Sequence, residues 1–293
     1  GPTSVLTFLT TDQGNISPTY TLFGNPAFVN AVGVYVDNAN HLWVADLEGN
    51  AIYKFESTSA IGNTPPVVTI AGSNTGFNLP GGIAIDKAGQ IYIANKGNNT
   101  IAIFSQIYQQ PGTYNVAPTA TISGANTQLS SPLGITFDAN NRLYVANTSE
   151  NHLGHPSVSI YAPSATGNAT PTVLLTAGLV DPAAVALDVN DNLWVTDYAY
   201  ESTLTSKILK YSGPVNAVEP ASCTLQGTTI VGPVGLVVNN DYIWTVLDTD
   251  PGAIQKFDNP ANCNGTLDVN PVDVIFGPNT TLSRSVLMAI YTG

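Results

Sequence analysis

Apolar and polar positions along the chain repeat in a unit of about fifty residues. Residues 80–95 read PGGIAIDKAGQIYIAN, residues 132–147 read PLGITFDANNRLYVAN, and residues 182–197 read PAAVALDVNDNLWVTD. Residues 31–46, AVGVYVDNANHLWVAD, keep the pattern without the proline, and residues 233–248, PVGLVVNNDYIWTVLD, keep it with Asn239 in place of the acid. The turn residues Asp37, Asp86, Asp138, Asp188 and Asn239 are 49, 52, 50 and 51 positions apart. In each unit a short apolar strand, a turn rich in Asp, Asn and Gly, and a second strand ending in Asp or Asn predict a hairpin. A third strand is predicted at Ile52–Phe55, Ile101–Phe104, Val158–Tyr161, Ile208–Tyr211 and Ile254–Phe257, and a fourth at Val67–Ala71, Thr119–Ser123, Thr172–Thr176 and Val272–Phe276.

Four antiparallel strands per repeat make a propeller blade, an arrangement that leaves only short sheet edges. The ends follow the same register. Val5–Leu9 matches a third strand, Thr19–Phe23 a fourth, and Val286–Ile290 falls where another first strand is due. The expectation is therefore an all-β, six-bladed β-propeller forming one domain over residues 1–293. Its blades lie at about 28–78, 79–130, 131–180, 181–231 and 232–277, and a composite blade is built from 1–27 and 278–293. No second strand for that composite blade is evident.

The consensus P-x-G-[IV]-x-[ILVF]-D-x-x-[GN]-x-[IL]-[YW]-[VI]-[AT]-[DN] resembles the NHL repeat and, more distantly, the blades of the regucalcin and gluconolactonase group. The resemblance covers nearly the whole chain and implies architecture. It does not fix activity, because propellers of this kind include RNA binders, protein binders, lactonases and lyases. In the regucalcin-like enzymes a calcium or similar ion near the central channel helps to activate a lactone or ester.

Composition narrows the partners. Eight Lys plus Arg against 20 Asp plus Glu give a net charge of −12, which repels nucleic acid and anionic membrane. No apolar run approaches the ~20 residues of a membrane-spanning helix. Charged residues make up only 10% of the chain, so its surface is mostly neutral and polar, suited to protein, peptide or glycan contact. Gly1-Pro2 has the look of a pair left by a processing protease, which places any leader upstream of Gly1. Cys223 and Cys263, the only cysteines, point to one structural disulfide and an oxidising compartment, with two free thiols as the alternative. The triplets at Asn15, Asn98, Asn147, Asn168, Asn264 and Asn279 match the glycosylation acceptor pattern.

Two constellations could carry chemistry. Asp46, Asn95, Asn147, Asp197 and Asp248 end the second strands and form a candidate ring of hard oxygen donors for Ca²⁺. Equally, Asp or Asn there can bond the backbone of a neighbouring turn. The long loops TSENHLGHPS and YAYESTLTS bring Glu150, His152, His155, Tyr198, Tyr200 and Glu201 to one face as candidate ligand contacts. Channel-mouth positions Val32, Gly81, Leu133, Ala183 and Val234 are small or apolar, and no Ser, His and Asp arrangement stands out. His41 falls in a hairpin turn on the opposite face and reads as a solvated side chain. Trp43, Tyr92, Tyr144, Trp194 and Trp244 recur at one strand position and read as core. The sequence thus predicts a secreted, periplasmic or surface-exposed monomer that recognises a protein, peptide or glycan and needs no cofactor. The alternative is a metal-dependent lactonase or lyase with its site at the channel mouth.

Overall fold

The computed structural model describes residues 3–24, 26–148, 156–199, 205–260 and 262–282. The strands appear where the repeat predicts them. After β1 (Val5–Thr7) and β2 (Tyr20–Leu22), blade 1 consists of β3 (Ala31–Val36), β4 (Leu42–Asp46), β5 (Ala51–Phe55) and β6 (Val68–Ala71). Blade 2 has β7 (Pro80–Ile85), β8 (Ile91–Asn95) and β9 (Thr100–Phe104), then an excursion, β10 (Gly112–Tyr114), before its fourth strand β11 (Ala120–Ile122). Blade 3 comprises β12 (Pro132–Phe137), β13 (Leu143–Asn147), β14 (Ser157–Tyr161) and β15 (Val173–Leu175). Blade 4 comprises β16 (Pro182–Leu187), β17 (Leu193–Asp197), β18 (Lys207–Tyr211) and β19 (Cys223–Gln226). Blade 5 has β20 (Pro233–Val238), β21 (Tyr242–Leu247) and β22 (Ala253–Asp258), an excursion β23 (Gly265–Asp268), and β24 (Asp273–Phe276).

Where the sequence predicts six blades, the described residues build five. The sixth position holds only the β1–β2 pair, because the N-terminal segment supplies a third and a fourth strand and the strand predicted at 286–290 lies outside the described residues. No α-helix occurs among the described residues, and none of their helical turns is long and apolar enough to cross a membrane.

The repeated turn has one chemical cause. The carboxylate Oδ1 of Asp37 accepts the backbone N–H of Ala39 and His41, both at 3.0 Å. Asp86, Asp138 and Asp188 do the same for the residues two and four positions on, and the Asn239 side chain takes the N–H of Asp241 and Tyr242. The other carboxylate oxygen receives the second-strand aromatic: Trp43 Nε1 on Asp37 at 3.1 Å and Trp194 Nε1 on Asp188 at 3.2 Å. One short side chain thus closes the hairpin and pins its largest core residue, which is why aspartate and aromatic recur together. All five aromatics are buried, as predicted.

His41 departs from its expectation. Its Nδ1 sits 2.9 Å from Asp37 Oδ2, so it belongs to the turn and is not simply solvated. Over four of the same aromatics lie cations: Lys54 on Trp43, Arg142 on Tyr144, Lys210 on Trp194 and Lys256 on Trp244.

Apolar clusters fill the junctions of blades 1 and 2, 2 and 3, 3 and 4, and 4 and 5, and a further cluster joins Leu22, Val5 and Phe28 to blade 1. Each large side chain buried there contributes about 1.5–3 kcal/mol. At the outer rim a second device appears that the repeat does not announce. The segment between a third and fourth strand swings out and pairs in parallel with the preceding blade's fourth strand: β10 on β6, β23 on β19, and single bridges Gly167 to Ile122, Gly62 to Leu22 and Gly14 to Ile275. The disulfide joins Cys223 to Cys263 across the stitch between blades 4 and 5, with Cα atoms 5.4 Å apart. Between blades 3 and 4 the guanidinium of Arg142 reaches Val215 O and Asn216 Oδ1.

Candidate functional site

The loops entering the first strands and those leaving the second strands share one face. What shapes that face is the ring of residues ending the second strands. Asp46 accepts N–H donors from Val29 and Asn30 at 2.9 and 2.7 Å, and Asp197 accepts from Val180 and Asp181 at 2.9 and 2.8 Å. Asn147 takes the N–H of Ser130 at 3.1 Å and donates to Ser157 and Ser159, while Asn95 faces Asn78 N, Gly76 O and Thr100. All four are buried, and their oxygens hold the preceding loop of their own blade against the sheet. Burial raises the Asp197 carboxyl above its ordinary value, against the pull of the Asp181 and Val180 amides and the Lys207 ammonium 3.4 Å away.

Asp248 does not belong to this ring. In blades 1 to 4 the ring residue pairs with the first residue of its first strand, as Asp46 with Ala31 and Asp197 with Pro182. In blade 5 the partner of Pro233 is Leu247. The hairpin turn is one residue shorter there, closing from Asn239 N to Tyr242 O where blade 1 closes from Asp37 N to His41 O. Counting nine residues from the turn therefore overshoots by one. Among the described residues no three His, Cys, Asp or Glu side chains converge.

Leu133, Ala183, Val234 and Val246 form a cluster against which Tyr198 and Ile254 rest. The first strands lie so close that a Cβ at Gly33, Gly82 or Gly134 would strike the backbone of the next blade. A cavity of about 220 Å³ is lined by first-strand residues of all five blades, among them Tyr35, Ile83, Thr136, Leu187 and Val238.

Of the predicted ligand contacts, Tyr198 is described. Its N–H donates to Asp181 O at 2.9 Å, its ring leans on Gly232, and it is half-buried. Glu150, His152, His155, Tyr200 and Glu201 lie outside the described residues.

Residues 77–104, covering β7 to β9, match the family model of the NHL repeat. One blade of this β-propeller thus carries an NHL repeat. No curated protein matches the propeller. Among solved structures it is similar to a nidogen/laminin complex, at 14% identity and a TM-score of 0.63 over 88% of this chain and 83% of the other. It is also similar to a candidate 6-phosphogluconolactonase of Bacteroides uniformis, at 16% identity and 0.58 over 82% and 72%. A streptogramin B lyase matches at 15% identity and 0.51 over 80% and 70%. At these identities the likeness is one of fold.

Proposed function

We propose that this propeller is a recognition module, six-bladed once residues 286–290 supply the inner strand of the composite blade, working outside the cell or in the periplasm. It binds a protein, peptide or glycan through the face that carries the long loops. One observation supports this above the rest: Leu133, Ala183, Val234 and Val246 form a buried apolar cluster against which Tyr198 rests. That cluster gives Tyr198 a firm backing, and the surface they form is the proposed contact platform. Tyrosine offers contact area at small entropic cost and a polar tip, which suits such a platform. Glu150, His152, His155, Tyr200 and Glu201 complete the proposed contact set. The disulfide is compatible with the exterior or the periplasm, and a structure of the same fold solved as a nidogen/laminin complex is an example of this fold in protein assembly.

The test is an array of peptides and glycans probed with the whole chain, followed by Tyr198→Ala and Tyr198→Phe. The reading expects a hit whose affinity falls about tenfold or more with alanine, in the range of an interface hot spot, and less with phenylalanine. A hit whose affinity ignores both variants would sink the assignment of this face.

The alternative, a metal-dependent lactonase or lyase, needs Ca²⁺ held by the ring oxygens. Those of Asp46 and Asp197 are already taken up by backbone amides, which favours the first reading. Thermal unfolding after EDTA treatment, with and without Ca²⁺, separates the two. An ion at 100 times its dissociation constant adds about 2.7 kcal/mol, and a melt that ignores Ca²⁺ together with no lactone turnover would retire the alternative.

A further inference from the structure

Asn264 and Gly265 form the only Asn-Gly pair in the chain, and both are exposed at the blade rim where β23 begins. Asparagine followed by glycine readily loses its side-chain nitrogen, because no side chain on the second residue hinders its backbone nitrogen from reaching the asparagine Cγ. Here the approach is open. Gly265 has a φ of +83°, and even a Cβ placed on it would meet nothing within 4 Å.

What restrains the pair sits on its two sides. Cys263 is joined to Cys223 by the disulfide. The Gly265 N–H donates to Ser222 O at 2.9 Å, at the start of the parallel β19–β23 ladder. The two neighbours of Asn264 are therefore tied to two consecutive residues of blade 4. Ring closure needs these ties to yield: the Gly265 amide must leave its acceptor before it can act as a nucleophile, and the Asn264 backbone must turn to bring Cγ to it. Burial adds little restraint, since all four residues of β23 are exposed. The covalent tie is the strongest one present.

We propose that Asn264 is a modification site locked by the Cys223–Cys263 disulfide, restrained in the oxidised protein and converted to aspartate and isoaspartate once the disulfide is reduced. The Gly265 amide nitrogen gives up its proton and attacks Asn264 Cγ. The new N–Cγ bond forms, the Cγ–Nδ2 bond breaks, and Nδ2 leaves with the proton as ammonia. Water then opens the cyclic imide at either carbonyl. One opening gives aspartate on an unchanged backbone; the other gives isoaspartate, whose backbone runs through the former side chain and is one carbon longer. The longer backbone puts Gly265 out of step with Ser222, so the stitch between blades 4 and 5 does not re-form in register when the oxidant returns. A reversible redox change is thereby recorded permanently in the chain.

The experiment incubates the whole chain at neutral pH, oxidised and after reduction with a phosphine. Peptide mass mapping and an isoaspartate assay follow residues 264 and 265, and hydrogen exchange is read on the same samples. Reduction speeds conversion about tenfold or more, the effect of freeing one net hydrogen bond. It also releases the Gly265 amide to exchange while the inner strands β16, β17 and β18 stay protected, as a local opening requires. Asn264→Gln removes the product from the reduced protein. The double variant Cys223→Ser, Cys263→Ser converts at the reduced rate with no reductant present. Equal rates in the oxidised and reduced protein would overturn the proposal, and so would a reduced protein that does not convert. A faster rate accompanied by lost protection across β16 to β18 would overturn it too, because the lock would then be the whole fold.

Discussion

The guanidinium of Arg142, in the first hairpin of blade 3, donates to the carbonyl of Val215 in blade 4 at 2.8 Å. The same group bonds Asn216 Oδ1, Tyr144 Oη and Asp138 Oδ2. Five junctions around the ring carry a parallel backbone stitch, and this side chain bridges the remaining one.

Replacing Arg142 with alanine should therefore cost about 3 kcal/mol, because the Asp138 carboxylate is left buried without its cation. Lysine should recover little, since its single ammonium cannot reproduce the fork. Urea unfolding of the two variants measures this, and a loss below about 1 kcal/mol in both would show that the junction does not depend on the guanidinium.

Acid should loosen the hairpin turns. Burial pushes the Asp37 and Asp188 carboxyls up, but the bonds they receive outweigh it, from Trp43 and His41 in one and from Asn192 and Trp194 in the other, so both are held below the usual carboxylate value. A carboxylate whose folded pKa is depressed stabilises the fold above its unfolded value, about 3.9, and that stability disappears as pH falls through the folded value. Melting temperature should hold through neutral pH and drop below about pH 4. Asp188→Asn, which imitates Asn239, should lose about 1 kcal/mol at pH 7 and show a shallower acid limb.

Gly33→Ala should be among the most damaging small changes. The new Cβ would land on the carbonyl oxygen of Gly81, a backbone atom with nowhere to go. A cost of about 3 kcal/mol is expected, read as a lowered denaturant midpoint with an unchanged slope.

Reduction of the Cys223–Cys263 disulfide should remove about 2–4 kcal/mol, given the 40 residues it spans. The effect should concentrate at β23, all four residues of which are exposed. Proteolysis with and without reductant would locate it, with cleavage expected first near Asp268. Equal cleavage with and without reductant would mean that the β19 ladder alone holds the strand.

Much of this architecture can be read locally. Asp86 and its neighbours announce their turn because the carboxylate bonds residues two and four positions away, and strand periodicity does the rest. What escapes such a reading involves segments far apart in the chain. β10 pairs with β6 across more than 40 residues without any apolar alternation to mark it. The Asp248 register failed for the opposite reason, a one-residue change too small to disturb the pattern. Around the candidate site, the place of Tyr198 just after a second strand is legible, but the apolar cluster that backs it is not, because Leu133, Ala183 and Val234 look in sequence like ordinary strand residues.

The cations lying over the second-strand rings also shape how the molecule looks from a distance. Four of the chain's eight basic side chains are engaged in this way and Lys207 is paired with Asp197, while the net charge of −12 leaves the outer field set by carboxylates. A diffusing molecule senses that field before any contact forms. Encounter with a basic partner is therefore accelerated at low ionic strength and slows as salt is added, while an acidic partner shows the reverse.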